Sequence, residues 1–113
     1  MANVEGVAYA AVLRLDGEVV DTYTVDSAFP LGRSGPDIGV LAKVSSYLAR
    51  KINAGSLEYC VLSAERFILV LSPVEIDYAL VIGLRQGGNL GKARLQMKKN
   101  MERVAAHLRQ HVP

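Results

Sequence analysis

The string Gly87-Gly88-Asn89-Leu90-Gly91-Lys92-Ala93 follows an apolar run and opens a helical pattern, the position a phosphate-binding loop would take. Two residues break that chemistry. Gln86 stands where the loop needs its first glycine, and Ala93 replaces the hydroxyl that would hold magnesium. The string therefore reads as a turn and a helix cap. His107 and His111, four apart, could share one metal, but no Cys, Asp or Glu lies near them in sequence to complete the shell. Glu75 and Asp77 fall in a turn, where solvation accounts for them. Cys60 is the single cysteine and lies inside an apolar run, so it reads as a small buried side chain. No Ser, His and acid set stands out. The expectation is a protein with no catalytic residue, no cofactor and no metal site.

The elements that position these residues are organised around residues 57–84. Phe67-Ile68-Leu69-Val70-Leu71 and Tyr78-Ala79-Leu80-Val81-Ile82 are apolar at successive positions, a pattern expected of strands covered on both faces. Residues 57–63 mix polar and apolar side chains and predict a strand at the rim of the same sheet. Short turns at 64–66 and 73–77 make these three strands antiparallel neighbours. Upstream, residues 7–15 and 18–25 flank Asp16-Gly17 and predict a hairpin with a two-residue turn. Residues 26–36, with two prolines and two glycines, read as a loop. Ser34 and Asp37 then approximate a capping box for a helix running to about Asn53, with Gly55 as its left-handed exit.

That helix has an expected core stripe of Ile38, Leu41, Ser45, Leu48 and Ile52, and a second stripe of Val40, Val44, Tyr47 and Lys51. The last helix opens at Asn89 and carries Leu90, Ala93, Met97, Met101, Val104, Leu108 and Val112 on one face. The predicted fold class is α+β, one antiparallel five-stranded sheet with two helices in the order β-β-α-β-β-β-α.

At 113 residues and 50% apolar, the chain is expected to form one domain, 1–113. The pattern predicts neither a membrane span nor a signal peptide, and the lone cysteine fits a cytoplasmic protein. The net charge is +2, but Lys92, Arg94, Lys98, Lys99, Arg103 and Arg109 concentrate positive charge in the last helix against Glu102 alone. No aromatic residue interleaves those charges, which argues against nucleic acid.

With the order of elements in place, several strings resemble the roadblock/LC7 family: Glu5-Gly6-Val7 leading into the hairpin at Asp16-Gly17, the strand pair around Ala64-Glu65-Arg66-Phe67, and Asn89-Leu90-Gly91-Lys92-Ala93-Arg94-Leu95. The resemblance covers nearly the whole chain and implies a profilin- and longin-like fold in a short form lacking the usual first helix. It also implies a non-enzymatic, dimeric scaffold or regulator that binds a small Ras-like GTPase or another roadblock-like protein. Two other classes are a profilin- or PAS-like small-molecule sensing module and a basic nucleic-acid-binding dimer.

Residues 57–63 lack the lysines, prolines and bulges that blunt an exposed strand edge. The expected homodimer interface therefore comprises Val40, Val44, Tyr47 and Lys51 of the first helix with Leu57, Tyr59, Cys60 and Val61 of the rim. One helix is too narrow to cover a five-stranded face, so an open strip is also expected beside Met97 and Met101, over the hairpin face of Ala8 and Ala10, as a groove for a partner helix.

Overall fold

The computed structural model describes residues 7–24, 31–87 and 89–111. Five strands form one sheet: β1 (Val7–Arg14), β2 (Val19–Thr24), β3 (Cys60–Ser63), β4 (Phe67–Val74) and β5 (Tyr78–Arg85). Two helices complete the order, α1 (Leu31–Lys51) between β2 and β3, and α2 (Leu90–His111) at the end. The strand order is β2-β1-β5-β4-β3, antiparallel throughout, so α1 links the two outer strands. The expected fold class and element order hold.

Strand alternation divides the core into two layers. Ala10, Ile68, Val70, Leu80, Ile82 and Leu84 meet Ala93, Met97 and Leu108 of α2 on one face. Tyr9, Ala11, Leu13, Leu71 and Val81 meet Ile38 and Ala42 of α1 on the other. The doubly apolar strands owe their composition to this arrangement, since β5 at the sheet centre is covered from both sides.

Five local expectations are corrected. The hairpin does not close on a two-residue turn. Gly17 N–H donates to Arg14 O (2.9 Å), Arg14 N–H to Glu18 O (2.8 Å), and the Asp16 carboxylate accepts from Glu18 N–H (3.0 Å). Gly17 takes the left-handed conformation (φ 101°) and Asp16 does not, giving a wider turn with one left-handed residue. Second, residues 31–36 are helix rather than loop, with Ser34 and Pro36 inside α1. Tertiary contact overrides the local capping pattern there: Gly17 lies against Pro36 and Gly35, and Leu15 against Gly39.

Third, Leu48 and Ile52 are 53% and 65% exposed. The buried line of α1 runs instead through Ile38 and Ala42, with Leu41 and Ser45 half-buried. Fourth, β4 continues through Pro73 and Val74, which pair with Ala79 and Tyr78. Proline is tolerated because β3 reaches only as far as Leu71, leaving β4 an edge at Pro73. Fifth, helix α1 ends at Lys51, and its left-handed exit is Asn53 (φ 60°) rather than Gly55. Asn53 N–H donates to Arg50 O and Ala54 N–H to Ala49 O, and Gly55 is left-handed as well (φ 95°). The expectations for Glu5, Gly6, Gly88 and Val112 fall outside the described residues.

Candidate interaction surface

The residues singled out for chemistry do not converge. Asn89 caps α2, its side-chain oxygen accepting Lys92 N–H at 2.9 Å. Glu75 accepts from Arg109 at 2.6 Å, a solvent-exposed pair. His107 is exposed, and among the described residues no three His, Cys, Asp or Glu gather to hold a metal. Burial raises the Tyr9 phenol above its ordinary value of 10.0, the physical cost of forming a phenolate in the core.

A different kind of site stands out on α1. Each helical residue advances roughly 100°, so Val40, Val44, Tyr47 and Lys51 lie on the side of α1 away from Ile38 and Ala42. Val40 and Val44 are each 56% exposed and Tyr47 is 64%. Lys51 Nζ lies 5.6 Å from the centre of the Tyr47 ring, so its alkyl stem extends the apolar stripe. Leu48 widens it, although its spacing predicts a place in the core. Ile52, just past the end of α1, is exposed but lies roughly 40° from Ile38 rather than in the stripe. The signal available in the sequence is excess: the apolar positions of α1 span more of the helix than one sheet contact needs.

The rim residues divide between the two faces of the sheet. Leu57 and Cys60 pack on the α1 side, where the Ser45 hydroxyl donates to Cys60 Sγ at 3.6 Å. Tyr59 turns to the α2 side and stacks under the Arg94 guanidinium, 4.1 Å from its ring centre. Val61 is exposed, and so is Leu62, a rim residue outside the expected interface set. Among the described residues strand β3 pairs only with β4, which leaves its outer edge free of them. Val40, Val44, Tyr47 and Lys51 thus share one face, while Tyr59 does not join them.

The expected groove over the hairpin is corrected. Ala8, Ala10 and Met97 are 0%, 5% and 3% exposed, and Met101 is half-buried. Alanines buried that deeply offer a partner no open surface. Space opens on the Met97 and Met101 side of α2 but toward β4 and the lead into β3 rather than the hairpin, as a groove of about 660 Å³ bordered by Tyr59, Pro73, Arg94, Lys98 and Met101.

No family model and no curated protein matches the sequence. Solved structures do match. A roadblock/LC7 domain from Streptomyces avermitilis superposes with a TM-score of 0.83 at 15% identity, covering 95% of this chain and 89% of that one. The chain has the roadblock/LC7 fold. MglC from Myxococcus xanthus is similar at 28% identity, with a TM-score of 0.67 over 95% of this chain and 91% of that chain. An MglB structure described as having a tetrameric arrangement is similar at 22% identity, with a TM-score of 0.79 over 89% and 76%. Within this roadblock/LC7 fold, Val40, Val44, Tyr47 and Leu48 of α1 and Val61 and Leu62 of β3 are exposed large apolar side chains. Among the described residues no helix is long and apolar enough to cross a membrane.

Proposed function

We propose that this chain is a non-enzymatic scaffold, dimeric through α1 and β3, that binds a small Ras-like GTPase or another roadblock-like protein. The observation that carries the reading is the alignment of Val40, Val44, Tyr47 and Leu48 on the outside of α1, each more than half exposed. Scattered apolar residues are ordinary on a surface, whereas an aligned set beside a free strand edge is a surface to be covered. A two-fold axis would set each α1 stripe against its twin and bring the two β3 edges together, a self-complementary contact. The tetrameric arrangement described for the similar MglB supports association between chains of this fold. The GTPase assignment draws on the family resemblance of the hairpin and of residues 89–95.

Sedimentation velocity at micromolar concentration tests the dimer, with a Val44→Asp, Tyr47→Asp double variant as the control. A dimer that the variant converts to a folded monomer is the expected result; a monomeric parent, or a fully dimeric variant, refutes it. The partner assignment is tested separately by capture from the native cell and measurement of nucleotide turnover by any co-purifying GTPase. An assembly without a GTPase would leave a homodimeric scaffold and remove the GTPase reading.

A further inference from the structure

The groove beside α2 lies on the sheet face that carries α2, away from the α1 stripe, and meets the rim at Leu57 and Tyr59. Its apolar surface comes from Leu57, Tyr59, Pro73, Met97 and Met101. Arg94 and Lys98 stand one turn apart along its α2 wall, both exposed, with Glu58 on the opposite wall. Lys98 enters no ion pair among the described residues.

Three observations select the occupant. The first is the backbone of the groove. Strand β3 begins at Cys60 opposite Leu71, so β4 is not paired to it at Ser72 and Pro73. An added strand would need a run of donors and acceptors there. Pro73 has no N–H to give, and the main chain at Glu58 already lies against β4 there, its carbonyl accepting from the buried Ser72 hydroxyl at 2.6 Å. Recognition therefore falls to side chains, which a helix presents and an added strand does not need. The second is length: from Gly91 to Met101 the groove follows α2 for about 15 Å, close to three turns of a neighbouring helix. It is open to solvent along one side, unlike a small-molecule site, which encloses most of its ligand. The third is charge. Arg94 and Lys98 are like charges four residues apart, a mildly unfavourable pair, and with Glu58 as the one acid of the lining the groove stays net positive, which an acidic flank would complement. The methionines supply a floor that adapts to the shape set against it.

We propose that this groove docks an amphipathic helix of another protein, apolar toward Tyr59, Pro73 and Met101 and acidic along the flank beside Arg94 and Lys98. The test uses the full chain with isotope-labelled methionine methyls. Its probe is a library of helical peptides about three turns long. Each carries an apolar stripe, with flanking positions varied among Glu, Gln and Lys. The expected result is selection of Glu flanks, with selected peptides shifting the Met97 and Met101 methyl signals. Lys98→Glu, at an exposed residue without an ion-pair partner, should weaken those peptides about tenfold and itself select Lys flanks. Selection of Lys flanks by the parent, no flank preference, or shifts confined to other residues overturns the proposal. So does dodecanoate moving the same methyls while every peptide is silent, which would make this a small-molecule site. A concentration-dependent oligomer that Lys98→Glu dissolves would make a second copy the occupant and would equally overturn it. Val44→Asp should leave peptide binding unchanged, separating this surface from the dimer contact.

Discussion

Gly17 lies directly against Pro36: a β-carbon added to Gly17 would stand 2.5 Å from the Pro36 nitrogen and 2.6 Å from its Cα. The hairpin turn and the first turns of α1 are packed backbone to backbone, and Gly17 also holds φ at 101°. Gly17→Ala meets both a left-handed backbone and an overlap with main-chain atoms, neither of which a rotamer change relieves. It is expected to cost on the order of 2 to 4 kcal/mol in denaturant unfolding. A loss below roughly 0.5 kcal/mol, within the range of ordinary surface substitutions, would show that the turn shifts freely.

Ile38 and Leu48 occupy one helix but should respond differently. Ile38 is 5% exposed beneath α1, so Ile38→Ala is expected to cost about 2 to 5 kcal/mol at any protein concentration. Leu48 is 53% exposed, so Leu48→Ala should leave the dilute chain within about 0.5 kcal/mol of the parent. Its effect should grow with protein concentration, as a dimer stabilises its own folded state by mass action. Melting curves across a range of concentrations check this; a Leu48→Ala loss independent of concentration would place that residue in the fold rather than the interface.

Alkaline stability should depend on Tyr9. Its folded phenol is raised above the unfolded value of 10.0 by burial, so the folded state keeps its proton after the unfolded state has begun to lose it. Stability is therefore unaffected by this group below pH 10.0, then falls as pH rises toward the folded value. Tyr9→Phe should unfold at nearly the parent's midpoint at neutral pH, or somewhat below it, and show a flatter decline above pH 10.0. Equal slopes for the two proteins would contradict the assignment.

The strand count, the order of elements and the antiparallel sheet were legible in the sequence because each rests on a local period. Residues 67–71 and 78–82 are apolar at every step, which a strand shows only when both its faces are covered, and β4 and β5 are indeed inner strands. The stripe of α2 from Leu90 to Leu108 and the cap at Asn89 come from the same short-range rules. The surplus of apolar positions on α1 was visible too. Which of them would stay exposed was not.

That choice depends on where α1 lies over the sheet, and periodicity alone cannot separate Leu48 from Leu41. The start of α1 likewise meets a distant stretch of the chain. Ser34 and Pro36 mimic a helix entrance, yet the helix runs from Leu31, with Gly35, Pro36 and Gly39 packed against Gly17 and Leu15 of the hairpin turn. Tyr59 and Cys60 are neighbours in sequence, and only the path of the rim chain sends one under Arg94 and the other toward Ser45. The groove shows the same dependence. Sheet and helix widths predict that some strip stays open. The lateral seating of α2, which packs on Ala10 and leaves Pro73 and Tyr59 lining a cleft, places that strip over β4 and the lead into β3. It is set by how whole elements pack, a sum over both layers that no single stretch of the chain encodes.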